Sequence, residues 1–420
     1  LLSHLPRSST SAQPLTGFTA SGTAKQIEIE ERFLQLPSPE TFRRHLETIT
    51  RHPHPAGSQA NTRVARYLAR VMEEAGLEVD RYDYDVYLPE LDPDISVALV
   101  TPIRLPLNNQ EYILEEDRFS AHPDLRPGWN AFSASGDVTG EVVYANYARL
   151  EDFGKLDELG ISVEGRIVIA RYGGNYRGYK AKFAQERGAI GLIIYSDPAN
   201  GGYMSGPVYP EGKSWSESTV QRGSILTLPY SGDPLTPFQP ALPTTDKRKV
   251  KRLDPGEVGL PTIPVTPLPY GSAREILKRM RGEPVPSGWQ GGLPFDYRLT
   301  GDRGLTVRLR VDQPKRLVRI TNVVGTLVGS EFPDEWVILG SHFDAWAFGA
   351  VDPNGGTAML LTLAEALGSI ARDGHRPRRT IRIAHWDAEE YGIIGSTEWV
   401  EQFRDELAEK AIAYVNADMS

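Results

Sequence analysis

Three segments late in the chain end in side chains able to hold a metal or move a proton. Gly340-Ser341-His342-Phe343-Asp344 is followed by Asp352-Pro353, with the aspartate ten positions after the histidine. His385-Trp386-Asp387-Ala388-Glu389-Glu390 forms the second segment and Asn416-Ala417-Asp418 the third. The chemistry open to such a set is hydrolysis assisted by two zinc ions. A zinc pair ~3.5–4 Å apart needs a bridging carboxylate and nitrogen and oxygen donors on each ion. It also needs a carboxylate that binds neither ion and takes a proton from the water between them. Glu389 and Glu390, adjacent within one turn, can divide these duties. Asp344, two positions beyond His342, can fix the imidazole without touching metal. With no cysteine in 420 residues, thiolate sites and disulfides are excluded.

Each residue also has a structural alternative. Single histidines after strands are usually packed, Glu-Glu pairs are usually solvated, and aspartates at strand ends commonly form turns. His385 competes as a ligand, although its place within a strand points it into packing. His52 and His54 flank prolines and read as structural. The joint pattern, three strand ends with donors on one sheet edge, carries the chemical reading.

The elements that must position these residues follow from periodicity. Residues 336–339 form a short, continuously apolar strand, as in a sheet covered on both faces. Residues 357–367 read as an apolar helix, 380–384 as a strand, 391–407 as mostly helix and 411–415 as a buried strand. This alternation gives a largely parallel sheet, with sites at the carboxyl ends of its strands. Upstream, Ser38-Pro39-Glu40 opens a helix carrying Phe42, Leu46 and Ile49 on one face. Val64, Leu68, Val71, Met72 and Ala75 define a second helix that Gly76 ends. Residues 79–87 alternate as a strand. Between 88 and 318 short strands alternate with Pro/Gly-rich loops, including a strand at 165–170, a helix at 180–187 and a strand at 191–195. No internal repeat is visible.

The chain's length suggests two or three domains. A net charge of −9 gives no basis for binding nucleic acid or an anionic membrane. No apolar run approaches the ~20 residues of a bilayer span. The segment from Ser8 to Pro14 reads either as a signal-peptide remnant cleaved near Ala12, implying a secreted or periplasmic protein, or as a plain disordered terminus. The sequence stops five residues after the last strand, which reads as a C-terminal truncation.

His342-Phe343-Asp344-Ala345-Trp346 with Val351-Asp352-Pro353 resembles the glutamate carboxypeptidase type of zinc peptidase, within the transferrin-receptor-like family. Trp386-Asp387-Ala388-Glu389-Glu390-Tyr391-Gly392, Gly395-Ser396-Thr397-Glu398-Trp399 and Asn416-Ala417-Asp418 share the likeness. Arg171-Tyr172-Gly173, Tyr176-Arg177-Gly178, Tyr195-Ser196-Asp197-Pro198, Val220-Gln221-Arg222-Gly223 and Gly232-Asp233-Pro234-Leu235-Thr236-Pro237 resemble that family's protease-associated, or apical, domain. The likeness runs over residues 28–420. It implies an α/β zinc exopeptidase domain, with a mixed, mostly parallel sheet sandwiched by helices, and an inserted β-rich apical domain. The implied division is a disordered or signal-peptide remnant at 1–27, a first peptidase segment at 28–90, the apical domain at 91–318 and a second peptidase segment at 319–420. That second segment would be truncated, with the family's helical dimerisation domain absent.

The resemblance also implies roles. Asp352 would bridge two zinc ions, His342 and Asp418 would complete one, Glu390 would bind the other, and Glu389 would be the general base. The second ion's histidine has no counterpart up to residue 420, so the chain alone would be inactive. Arg177 matches the family's arginine for a substrate carboxylate, a role suited to bidentate pairing. Ser224 replaces an asparagine in that pocket. A structural calcium ion would map to Thr236, Glu398, Glu401 and the backbone of Gln239, an all-oxygen set. The bland reading makes Glu398 and Glu401 solvent-facing helix residues. The expected activity is a dizinc carboxypeptidase releasing acidic C-terminal residues from small peptides, homodimeric when full length. The alternatives are an aminopeptidase of the same fold and a non-catalytic receptor-like protein. A cis Asp352–Pro353 bond is also expected, cis being accessible mainly before proline.

Overall fold

The computed structural model describes residues 15–419, so the leader remnant expected at residues 8–14 lies outside the described residues. The chain opens with α1 (Ala20–Phe33), α2 (Pro39–Ile49) and α3 (Gln59–Ala75) and then β1 (Glu78–Pro89). Residues 20–27, expected within a disordered remnant, are instead the first turns of α1. Thr19 Oγ1 accepts the Gly22 N–H at 3.1 Å, and Arg32 at the far end pairs with Asp373. Ser38 caps α2 by accepting the Thr41 N–H at 3.1 Å, and Gly76 closes α3 in a left-handed conformation at φ +92°.

An inserted unit follows. It runs through β2 (Asp94–Thr101), β3 (Leu105–Leu107), β4 (Asn130–Ala131), β5 (Gly136–Tyr144), α4 (Leu150–Glu158), β6 (Ile167–Arg171), α5 (Arg177–Glu186) and β7 (Gly191–Tyr195). It continues with β8 (Gly223–Ser224), β9 (Val265–Leu268), α6 (Tyr270–Leu277) and β10 (Thr306–Asp312). Seven strands form one sheet in the order β3-β2-β10-β5-β6-β7-β9, antiparallel as far as β5 and parallel beyond it. Its core is aliphatic, with Val142, Ile167, Ile169, Ile193, Val265 and Leu309 wholly buried.

The chain then returns through β11 (Lys315–Leu327), β12 (Phe332–His342), α7 (Asn354–Arg372), β13 (Arg379–Trp386), α8 (Ile394–Gln402), α9 (Arg404–Lys410) and β14 (Ala411–Asn416). The second sheet has the order β1-β11-β13-β12-β14. Its three late strands pair in parallel, as their alternation with helices requires, while β1 and β11 join antiparallel and make the sheet mixed. One face packs on α3 and α7 through Leu68, Met72, Leu361 and Ile383. The other packs Tyr84, Ile320 and Trp386 against Trp399 of α8.

One expectation fails here. β14 was read as buried, yet all six of its residues are exposed. Among the described residues it is the edge strand, paired with β12, and Ile412, Tyr414 and Val415 stay about half exposed. An apolar run marks a strand but not which neighbour covers it. Among the described residues no helix is long and apolar enough to cross a membrane.

Candidate metal centre

The parallel order β13-β12-β14 brings three strand ends side by side, and the chemistry-bearing residues follow them. His342 is the last residue of β12 and is almost wholly buried. Its Nε2 lies 3.3 Å from Asp352 Oδ1, 3.2 Å from Asp418 Oδ1 and 3.7 Å from Glu389 Oε2. The donor atoms of His342, Asp352 and Asp418 all lie within 4.8 Å of one another. On the other side of the ring, Nδ1 is 3.1 Å from the Asp344 carbonyl and 3.4 Å from its carboxylate.

Local structure explains this convergence. The Asp352–Pro353 bond is cis, as expected, and α7 begins immediately afterwards. The Gly356 N–H in the first turn of α7 donates to the Asp418 carbonyl at 3.0 Å. A Cβ at Gly356 would stand 1.6 Å from the Ala417 carbonyl oxygen, so only glycine lets the loop after β14 lie on this helix end. The turn bearing the two glutamates is strained, with Ala388 at φ +58° and Ile393 at φ +57°. Asp344 holds that turn, its two carboxylate oxygens accepting the N–H groups of Glu389 (2.9 Å) and Glu390 (3.3 Å). One wholly buried aspartate thus touches both the imidazole and the glutamate pair.

Several supporting residues carried no sequence signal of their own. Trp346 Nε1 donates to Glu390 Oε2 at 2.6 Å. Buried His54 has Nδ1 on the His52 carbonyl (2.8 Å), and its Nε2 accepts from Asn354 Nδ2 (3.0 Å). His54 also exchanges backbone hydrogen bonds with Ala345 and Ala347, so it laces the loop leading to Asp352. Asp387 accepts from Asn61 Nδ2 (2.7 Å) and the Thr321 N–H (3.0 Å). His385 is wholly buried with neither ring nitrogen hydrogen-bonded, and burial alone pulls its pKa down to about 3; it packs inside the sheet.

Electrostatically the centre is a knot of acids. Burial pushes Glu389 up to about 7; Asp344, Asp418 and Asp352 add to the rise and His342 opposes it. Glu390 is raised further, again by burial first and then by Asp344 and Asp352. Burial disfavours a charged His342, yet hydrogen bonds to Asp344, Asp352 and Asp418 override it and raise its pKa strongly. The His342 Nε2 carries at most one N–H, so it cannot satisfy Asp352, Asp418 and Glu389 at once. Acids clustered round one imidazole, with too few donors among them, are a donor set that suits a divalent zinc ion, so the residues fit that metal.

A cleft of about 380 Å³ adjoins this centre, lined by Arg177, Tyr176, Ser224, Tyr230, Glu389 and Glu390 among others. Arg177 opens α5, and its Nη1 lies 3.5 Å from the Ser224 carbonyl. A Cβ at Gly223 would stand 2.2 Å from the Arg177 Cζ, so the guanidinium lies directly over a glycine. Ser224 Oγ donates to the Tyr391 carbonyl at 3.0 Å and so ties the inserted unit to the glutamate turn.

The residues considered for calcium sit elsewhere. Glu398 is not solvent-facing: it is wholly buried, with Oε1 accepting the Asp233 N–H (2.7 Å) and Oε2 the Ala241 N–H (2.5 Å). Thr236 Oγ1 donates to Asp233 Oδ2 (3.0 Å), and the Gln239 N–H donates to the Thr236 carbonyl (3.1 Å). Glu401 keeps one buried oxygen, Oε2, without a partner.

Residues 322–420 match peptidase family M28, and residues 138–225 match the PA domain. The chain is 38% identical over 403 residues to a glutamate carboxypeptidase 2 homolog of Caenorhabditis briggsae, covering 90% of this chain and 51% of that protein. It is 34% identical over 426 residues to the aminopeptidase NAALADL1 of Mus musculus, covering 97% of this chain and 56% of that protein. The chain therefore spans about half the length of these curated relatives. Among solved structures it shares its fold with BSAP, a zinc aminopeptidase from Bacillus subtilis, at a TM-score of 0.53 and 17% identity, over 93% of this chain and 69% of that one. The chain thus carries a peptidase M28 region at residues 322–420, with a PA-domain region ahead of it at residues 138–225.

Proposed function

We propose that this chain provides the metal-binding and substrate-gripping elements of a zinc-dependent exopeptidase, a carboxypeptidase that releases acidic C-terminal residues from small peptides. The observation that carries the reading is the shared wall. Glu389 faces the His342–Asp352–Asp418 group on one side and lines the Arg177 cleft on the other. A peptide whose terminal carboxylate met Arg177 would therefore present its last amide bond beside Glu389.

His342, Asp352, Asp418 and Glu390 would hold zinc. Bound there, zinc would polarise the substrate carbonyl and acidify a water. Glu389 would act as general base, taking a proton from the attacking water and passing it to the leaving amine. Asp344 fixes the His342 ring and the Glu389–Glu390 turn together, and Trp346 holds the Glu390 carboxylate. Ser224 closes the cleft floor. In the whole protein the same reading gives two zinc ions, a secreted or periplasmic homodimer, and one structural calcium ion near Thr236, Gln239, Glu398 and Glu401. The partnerless Glu401 Oε2 supports the calcium assignment, and the resemblance supports the rest.

Glu389→Gln in the whole protein tests the base. The expected result is a kcat lowered on the order of 10²–10⁴-fold with zinc content unchanged; normal turnover would sink the assignment. The similarity to a protein named an aminopeptidase supports a second reading. Paired N-acetylated and free dipeptides separate the two, since only a carboxypeptidase cleaves the blocked peptide. Less than one zinc per chain would instead favour a non-catalytic protein.

A further inference from the structure

Lys180 is wholly buried, and the reaction described above does not use it. Its Nζ donates to the Tyr147 carbonyl (2.5 Å), the Gly173 carbonyl (2.7 Å) and Asn175 Oδ1 (2.6 Å). An ammonium has three donors, so its hydrogen-bonding capacity is fully used, and on uncharged acceptors only. Two of those acceptors lie in the loop joining β6 to α5, and Arg177 is the next helical residue after that loop. The loop is pressed flat on Tyr147: Gly174 has φ +76°, and a Cβ there would come within 2.7 Å of the tyrosine side chain. The Tyr147 ring also receives the Arg171 guanidinium at 4.2 Å, and its hydroxyl accepts from Asn200 Nδ2 at 2.9 Å. Tyr176, the residue before Arg177, gives α5 no side-chain cap; its hydroxyl donates instead to the Ser224 carbonyl at 2.8 Å, so the helix start is held by that bond and by the preceding loop.

We infer that Lys180 is a positioning residue for Arg177: it clamps the 173–176 loop onto Tyr147 and thereby sets where the guanidinium meets a substrate carboxylate. This rests on the carboxypeptidase reading of the Arg177 cleft. A buried ammonium on neutral acceptors is costly to keep for packing alone, since an apolar chain of similar length would fill the space. Its use is directional, holding two carbonyls and an amide oxygen at one point. Burial lowers its pKa to about 7; Asp152 raises it, while Arg149 and Arg171 lower it. Below that pH the clamp is charged with three donors. Above it the amine keeps two donors, and the loop is held less firmly.

The test compares free-carboxylate and C-terminally amidated N-acetyl dipeptides on the whole protein and on Lys180→Met. The milder Asn175→Ala removes one acceptor and serves if Lys180→Met does not fold. The expected result is a KM for the free acid raised on the order of tenfold or more in Lys180→Met and by less in Asn175→Ala. kcat and zinc content should hold, and kinetics on the amidated peptide should not change. In the unsubstituted protein KM should also rise as pH passes upward through about 7, and Lys180→Met should lose that inflection. If both variants keep the original preference for free acid over amide, the Lys180 assignment is overturned while the carboxypeptidase reading stands. If the unsubstituted protein itself shows no preference, the carboxylate reading fails and the Lys180 assignment falls with it.

Discussion

Two acid-rich clusters both draw on the segment after β13 and differ in how their oxygens are used. Around Glu398 every contact is internal: its two oxygens accept the N–H groups of Asp233 and Ala241, and Asp233 in turn accepts from Tyr87, Leu235 and Thr236. Around His342 three acids converge on one imidazole nitrogen, which has at most one N–H to share among them. Both sets raise the pKa of a glutamate, Glu398 to about 8 and Glu389 to about 7, so pKa does not tell them apart. Hydrogen-bond bookkeeping does. The Glu398 carboxylate is already held by backbone N–H groups, whereas the acids around His342 share a single N–H and gain most from a cation.

That contrast can be broken by experiment. The largest effect is expected on zinc-linked stability. Zinc at about a thousand times its dissociation constant should stabilise the protein by about 4 kcal/mol. His342→Ala should abolish the gain in thermal melts; a retained gain would place the metal elsewhere. Next, Glu398→Ala should destabilise the protein by about 3 kcal/mol with or without zinc, because two buried N–H groups lose their acceptor. If denaturant titration shows less than 1 kcal/mol (about the net worth of one ordinary hydrogen bond), the satisfied-cluster reading fails.

A third test uses Asp85, which is almost fully buried and bonded to Arg319 and Thr244. Burial alone would raise its pKa, but these partners win and lower it from 3.8 to about 2. A carboxylate depressed in the folded state stabilises it above the unfolded pKa, and that contribution is lost as pH falls. About 2 kcal/mol should therefore disappear between roughly pH 4 and pH 2. Asp85→Asn should flatten that stretch of the pH–stability curve. The smallest effect belongs to Asp418→Asn in metal-free protein. Removing one of several converging acids should leave stability within about 1 kcal/mol, while zinc titration by calorimetry should show weakened binding. A large loss of metal-free stability would make Asp418 a structural residue.

Much of the centre was legible in the sequence. His342, Asp352, Glu389, Glu390 and Asp418 follow strands whose alternation with helices forces parallel pairing, and parallel strands put their carboxyl ends on one edge. Asp344 was legible through its two-residue spacing from His342. The rest was not. Trp346 and the His54–Asn354 pair support the centre by joining segments distant in sequence, Trp346 to Glu390 and His54 to Asn354, and no local period marks such contacts. The bland reading of Glu398 failed because its helix face packs against the 233–241 segment, about 160 positions earlier, a neighbour that periodicity cannot name. The burial expected of β14 failed for the same reason: its composition suits a strand, but its place at the sheet edge is set by which strand it pairs with.

The sequence by itself determined the late strands and helices, the absence of thiolate chemistry and the acids and imidazole that crowd one sheet edge, because residue type and short-range spacing carry that information. Only the tertiary structure decided that Asp344 grips both the imidazole and the glutamate turn, that Lys180 lies under the loop before Arg177, and that Glu398 is already satisfied. Those facts depend on contacts between segments tens to hundreds of positions apart, and such contacts exist only once the sheets have formed and the side chains have been packed against one another.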